Sequence, residues 1–165
     1  MNIAIIPARG GSKRIPRKNI KCFHGKPMIS YSIEAAKKSG CFDKILVSTD
    51  DQEIADVALQ YGAEVPFLRP ADIADDFSTT LDVMQHAIAW CKYQQWVVDS
   101  VCCIYATAPF ILPEYIKQGL VELSDDNVQY AFSATSFPFP VQRAISLSKD
   151  GAVSMYYPEY ANRKS

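Results

Sequence analysis

Residues 7–19 read Pro-Ala-Arg-Gly-Gly-Ser-Lys-Arg-Ile-Pro-Arg-Lys-Asn, five cations set around a glycine pair. Paired glycines let a backbone approach an anion closely and turn several N–H groups the same way. Gly10 and Gly11 carry that capacity here, and Arg9, Lys13 and Lys18 supply compensating charge. The chemistry this suits is the binding of a nucleoside triphosphate. Neither a Walker A pattern nor G-x-G-x-x-G occurs, which disfavours P-loop hydrolysis and nicotinamide binding. The alternative is a solvated basic turn. Against it, residues 9–26 hold seven Lys or Arg and no Asp or Glu, so these charges repel one another unless an anion binds.

Other residues have chemistry to offer. Asp50 and Asp51 follow an apolar run, where a carboxylate could hold a metal ion or a ribose hydroxyl, or equally cap a helix. Arg69 precedes a proline that biases it towards an extended conformation, so its guanidinium could point at the same rim; the competing reading is a surface ion pair with Asp72 or Asp75. His24 and His86 have no partners at catalytic or metal spacing and read as structural. Cys102 and Cys103 are adjacent in an apolar run, where neighbours face opposite sides of a sheet, and read as core filling rather than as a nucleophile.

The elements that must position these residues alternate between apolar runs and helical periodicity, which predicts an α/β domain with a largely parallel sheet. Strands are expected at residues 3–6, 44–49, 63–68, 100–105 and 128–135. Helices are expected from Pro27 to Ser39-Gly40, from Asp51 to Gly62 and from Pro113 onward; a fourth starts at a Thr79/Asp82 capping box with Leu81, Met84, Ile88 and Cys91 as its inner face. Residues 70–76 read as an irregular loop, and residues 141–147 and 152–157 as a hairpin turning at Asp150-Gly151. In an open parallel sheet, ligands bind beyond the carboxyl ends of the strands, so residues 9–19, Asp50-Asp51 and residues 106–109 should converge on one rim.

With 165 residues, 48% of them apolar, the chain is expected to form one domain with a single sizeable core. A net charge of −1 argues against a general nucleic-acid or membrane-surface binder, which relies on a broad excess of positive charge. The basic loop is therefore a local feature. Five cysteines without a C-x-x-C pair, together with only two histidines, indicate neither a disulfide framework nor a zinc site and suit reduced thiols in a cytoplasm. The N-terminus enters a strand at once, so no signal peptide is expected, and no apolar run approaches the ~20 residues of a membrane span.

The strings IPARGGSKRIPRKNI, GKPMISYSIEAAKKSG, VSTDD, YGAEVPFLRPADIADD and IYATAPF, in this order, resemble the acylneuraminate cytidylyltransferase family, the CMP-sialic acid synthetases. The resemblance runs over essentially the whole chain. It implies a Rossmann-like, three-layer α/β nucleotidyltransferase fold of the nucleotide-diphospho-sugar transferase type, with a mainly parallel sheet. It also implies an enzyme that couples CTP to an acidic nonulosonic sugar, giving a CMP-sugar for surface or flagellar glycans and pyrophosphate, with Mg²⁺ as cofactor and a homodimer as the complete enzyme. On this resemblance Arg9, Gly10, Gly11, Ser12 and Lys13 hold the triphosphate, and Lys18 and Asn19 bind nucleotide or phosphate. Arg69 lies on the nucleotide side, and Thr80 falls where a hydroxyl contacts the nucleotide. Arg9, Lys13 and Lys18 would neutralise charge during transfer.

Two departures qualify it. Family members that use sialic acid carry a Gln-Pro-Thr-Ser-Pro-like turn whose glutamine helps read cytosine. This chain has Tyr105-Ala106-Thr107-Ala108-Pro109, a turn similar to that of members acting on pseudaminic acid, which favours that sugar and leaves the role of Tyr105 beside Thr107 open. Relatives also continue past the position of Ser165, with elements for dimerisation, the sugar pocket and late metal-binding aspartates, so the metal ligands are not assigned and this chain alone is expected to be weakly active or inactive. The alternatives are a synthetase for N-acetylneuraminate or a related nonulosonic acid, a noncatalytic nucleotide-binding module and, weakest, a nucleic-acid binder.

Overall fold

The computed structural model describes residues 1–75 and 77–161, so Asp76 of the expected loop and the polar end at 162–165 lie outside the described residues. The contacts divide the chain into two compact units, Met1–Ala131 and a second from Phe132 onward.

In the first unit, β1 (Asn2–Pro7) is an apolar strand whose residues 3–6 are all fully buried. A strand covered on both faces needs such a continuous run, because it has no solvated side. After the basic loop come two short antiparallel strands, β2 (Cys22–Phe23) and β3 (Lys26–Pro27). Their two-residue turn, His24-Gly25, has positive φ at both positions (45° and 83°), the geometry that matches strand twist and that Gly25 adopts without strain. Sequence periodicity passes over this hairpin because its strands are too short to alternate.

Helix α1 (Met28–Ser39) starts one residue later than expected, with Pro27 as its cap, and ends at Gly40. β4 (Lys44–Ser48) then leads into α2 (Gln52–Gln60), whose N-terminus is capped by Asp51, the side chain accepting from Ile54 N. Helix α3 (Thr80–Tyr93) opens with the expected capping box, Thr79 and Asp82 bonding reciprocally. β5 (Ser100–Cys103) and α4 (Pro113–Glu122), with its proline in the first turn, complete the unit.

The strands order as β4-β1-β5, all parallel, with β1 pairing Ile3 to Lys44 on one edge and to Val101 on the other. Alternation along them sorts two cores. Ala4, Ile6 and Val47 pack with Ile29 and Ile33 of α1, Ile54 of α2 and Ile116 of α4. Ile3, Ile5 and Leu46 pack with Ala87 and Cys91 of α3 on the opposite face. The result is the expected three-layer, Rossmann-like arrangement.

Three expectations change. Residues 63–68 run along the free edge of β4 but make only isolated parallel bridges, Leu46 with Glu64 and Thr49 with Leu68. Pro66 lies between the two bridges and has no N–H for a ladder. Helix α3 is rotated from the expected face: Val83, Ala87 and Cys91 are buried at a spacing of four, while Leu81 is 63% exposed. Residues 128–135 form no strand, and Tyr130 and Phe132 stand exposed. Strand propensity measures fit to a pleated, half-buried surface, and among the described residues no strand edge pairs with this segment.

The second unit holds a turn of 3₁₀ helix at Val141–Arg143 and the expected hairpin, β6 (Ile145–Leu147) against β7 (Val153–Met155), with Ser146 Oγ 2.7 Å from Ser154 Oγ across the strands. Among the described residues no helix is long and apolar enough to cross a membrane.

Candidate functional site

Because β1, β4 and β5 are parallel, the segments that follow them emerge on one rim. The chain passes from β1 to β4 on one side and then crosses to β5 on the other. That reversal opens a crevice beyond the carboxyl ends of β1 and β5, where α/β sheets bind ligands. A cleft of about 640 Å³ lies there. Arg9, Ser12, Lys13, Arg14, Lys18 and Asn19 line one wall, and Tyr105 to Thr107 the other.

The basic loop is pinned at its base by Asn19. This residue is 5% exposed; its side chain donates through Nδ2 to the Arg9 carbonyl at 2.9 Å, while its backbone carbonyl accepts from Ile29 N at 2.7 Å. Asn19 therefore ties both ends of the loop to the start of α1.

The glycine pair divides its work. Gly10 N donates to Asp50 Oδ1 at 2.9 Å, and a Cβ added at Gly10 would stand 2.6 Å from Asp51 Oδ2. Gly11 has nothing within 4 Å of such an atom. Close approach at Gly10 thus serves packing against an internal carboxylate.

The charge picture is also less one-sided than the linear sequence. Arg17 binds Asp51 in a bidentate pair, Nη2 to Oδ1 at 3.0 Å, and reaches Glu53 as well. Hydrogen bonding from Arg17 holds the Asp51 carboxyl below its ordinary range, against the opposing effect of burial. Lys26 pairs with Glu34 at 2.6 Å. Arg9 Nη1 donates to the Asp75 carbonyl at 2.8 Å. Lys18 and Arg14 face the cleft and make no ion pair among the described residues.

Arg69 makes no surface pair with Asp72 or Asp75 but sits behind the rim. Its side chain is 4% exposed and lies beside Asp50, Nη2 to Oδ1 at 3.5 Å, rather than on the surface with Asp72 or Asp75. Among the described residues Nε and Nη2 have no hydrogen-bond partner, and burial lowers the guanidinium pKa, with Asp50 opposing. Arg69 is not among the cleft-lining residues. Buried unpaired donors are rare because each forfeits its hydration, so this guanidinium marks a place with unused binding capacity.

On the opposite wall, Tyr105 Oη stands 3.4 Å from Oγ1 of Thr80, which starts α3 and is not itself among the cleft-lining residues, and the Tyr105 carbonyl accepts from Ser32 Oγ of α1 at 2.7 Å. Thr107 lies beside them on the same wall. Burial pushes the Cys102 thiol up to about 11, a protonated sulfur unsuited to attack. His86 packs edge-on against Phe67, and His24 sits on the hairpin turn. Among the described residues no group of three or more His, Cys, Asp or Glu could hold a metal ion. The residues that sequence reading missed are Arg17, Glu53 and Ser32. For the first two the available cue was an acid-x-acid pair at a helix start facing a run of cations.

A protein-family model described as Cytidylyltransferase matches residues 3–144. The pseudaminic acid cytidylyltransferase of Campylobacter jejuni is 46% identical over 164 residues, which cover 99% of this chain and 71% of that protein. The CMP-N,N'-diacetyllegionaminic acid synthase of Legionella pneumophila is 47% identical over 120 residues, 72% of this chain and 51% of that one. Among solved structures, a CMP:2-keto-3-deoxy-manno-octonic acid synthetase complexed with CTP superposes with a TM-score of 0.64 at 24% identity, over 76% of this chain and 48% of that chain. This last likeness is one of fold, and the chain spans about half the length of that structure. The family match, the alignment of nearly all of this chain with the Campylobacter protein and the cationic cleft at the switch point agree: the chain belongs to the cytidylyltransferase family of nucleotidyltransferases.

Proposed function

We propose that this chain binds CTP with its triphosphate on the basic loop and transfers the cytidylyl group to an acidic nonulosonic sugar, pseudaminic acid being favoured. The observation that carries the proposal is the cleft beyond β1 and β5, where Arg9, Lys13, Arg14 and Lys18 converge with Ser12 opposite the turn at Tyr105. The alignment with a pseudaminic acid enzyme, 46% identical over 99% of the chain, supports the choice of sugar.

In the proposed reaction the anomeric hydroxyl of the sugar attacks the α-phosphorus of CTP in line. A new O–P bond forms as the bond to the β-phosphate oxygen breaks; pyrophosphate leaves, and the hydroxyl proton passes to solvent. Such transfers depend on positioning and charge neutralisation more than on covalent assistance. Arg9, Lys13 and Lys18 balance the charge of the triphosphate and of the departing pyrophosphate. Gly10, Gly11 and Asn19 shape the loop around it, and Thr80, Tyr105 and Thr107 form the wall available to the nucleoside. Arg69, with two unpaired donors beside Asp50, backs the nucleotide side.

The described side chains do not form a metal cage, and the two nearest carboxylates are engaged with Arg17, Arg69 and Gly10. Magnesium, which keeps several waters and takes few protein ligands in such sites, would supply further neutralisation of the triphosphate charge. The chain is proposed to act as the nucleotide-binding α/β portion of a homodimeric cytoplasmic enzyme.

The test is pyrophosphate release from CTP with Mg²⁺ and, in turn, pseudaminic, legionaminic and N-acetylneuraminic acids. Fastest release with pseudaminic acid is expected. The assay is run on a full-length version beside this chain: release with none of the three by the full-length protein would remove the transfer reaction, and calorimetric titration of CTP into this chain tests the nucleotide half separately.

A further inference from the structure

We propose that Arg17 positions the basic loop instead of binding phosphate: the loop is suspended between two adjacent carboxylates, Asp50 at the Gly10 N–H and Asp51 at the Arg17 guanidinium. The inference deepens the triphosphate reading and rests on it for its ligand. Three observations carry it.

Of the cations at 9, 13, 14, 17 and 18, Arg17 alone is not among the residues lining the cleft. Its guanidinium is turned onto α2, where Asp51 and Glu53 take it. Its backbone has φ of 53°, a left-handed conformation that a residue with a side chain adopts only when its surroundings hold it there. Asp51 is meanwhile fixed in its own right, accepting from Ile54 N at 3.0 Å as the cap of α2, and it fills the space that a side chain at Gly10 would need. Helix α2 therefore presents two carboxylates on a rigid base. Residues 10–17 hang from them, with Lys13 directed into the cleft between the two attachment points and Lys18 just beyond the second.

The sign of one substitution separates this role from direct ligation. Asp51→Asn keeps a side-chain oxygen to cap α2, since Asn caps as well as Asp, but gives up the charged pair with Arg17. If Arg17 binds the triphosphate directly, removing a nearby negative charge and releasing Arg17 should strengthen CTP binding. If Arg17 is a tether, the same change weakens it. Arg17→Met tests the other end.

We expect each variant to bind CTP roughly tenfold more weakly by calorimetry, and the double variant to lose no more than either single one, because both break the same link. Amide hydrogen exchange at residues 10–17 should accelerate in both singles, with or without CTP. Unchanged or tighter CTP binding by Asp51→Asn alongside weakened binding by Arg17→Met would overturn the tether in favour of direct contact. Unaltered exchange in both variants would also overturn it. Wild-type protein that binds no CTP would sink the triphosphate reading instead, and the exchange rates would then decide the tether alone.

Discussion

Asn19 reaches back ten residues to donate to the Arg9 carbonyl at 2.9 Å, closing the basic loop on itself. Both partners belong to the loop, and Asn19 is buried while the cations it organises are not. Asn19→Ala leaves a carbonyl without its donor in a region with little water. The expected loss is about 1–3 kcal/mol. At this size that is a fall of about 2–4 °C per kcal/mol in a thermal melt, and CTP affinity should fall with it. A melt unchanged within a degree would show that the clamp contributes nothing.

Gly10→Ala and Gly11→Ala make a matched pair. The first drives a methyl to within 2.6 Å of Asp51 Oδ2 and must displace that side chain, and with it the contact to Arg17. The second adds a methyl in open space. Gly11→Ala should stay within about 0.5 kcal/mol of wild type, as ordinary surface substitutions do. Gly10→Ala should cost about 1–3 kcal/mol, as overpacking does. Equal effects in denaturant titrations would contradict the assignment of close packing to Gly10 alone.

Lys18→Ala and Arg9→Ala probe charge at the cleft. Lys18 makes no ion pair among the described residues, so its removal should leave the melt unchanged and weaken CTP binding. In the full-length enzyme Arg9→Ala should reduce turnover about 10²–10³-fold, the scale for losing one preorganised donor to developing charge. Steady-state kinetics on Arg9→Ala indistinguishable from wild type would remove Arg9 from the reaction.

Arg69→Met should separate stability from binding. The guanidinium is buried with two donors that make no hydrogen bond among the described residues, so an apolar side chain of similar length removes a desolvation cost of about 1–3 kcal/mol per unsatisfied group. Asp50 keeps the Gly10 N–H and is partly open to water. The variant should therefore melt higher while binding CTP less tightly. A lower melting temperature would mean that the Asp50 pair matters more to the fold than the orphaned donors do.

Acid should loosen the loop before it unfolds the sheet. The Asp51 pKa in the folded chain lies below that of a free carboxyl, because Arg17 hydrogen-bonds the charged form. Its contribution to stability is then fully present above the unfolded pKa of about 4 and is lost as pH falls through the lower folded value. Denaturant titrations from pH 6 down to pH 3 should show Asp51→Asn with a shallower acid limb than wild type. Parallel limbs would show that Asp51 titrates alike in both states.

The parts of this architecture that local chemistry specifies were legible in the sequence. The Thr79/Asp82 box, the capping by Asp51 and the continuous apolar run of β1 each follow from residues within a few positions of one another. The rim also followed, because parallel strands place their exits together. What could not be read depends on residues distant in sequence. Arg17 finds Asp51 across 34 positions, which turns an apparently uncompensated cation run into a partly neutralised one. The face of α3 differs from its periodicity because Val83 and Ala87, not Leu81, meet the sheet. Residues 128–135 have the composition of a strand, but a strand also needs a neighbouring edge.

The strand order β4-β1-β5 has a consequence for biosynthesis. β1 is made first and is the middle strand, and its second edge pairs Asn2 with Ser100, nearly a hundred residues later. Pairing at such separation is slow to close. During translation at about 5–20 residues per second, the most apolar strand of the chain therefore waits several seconds with one edge open. The cleft between β1 and β5 cannot exist until that wait ends, so nucleotide can stabilise only chains whose β5 has already docked.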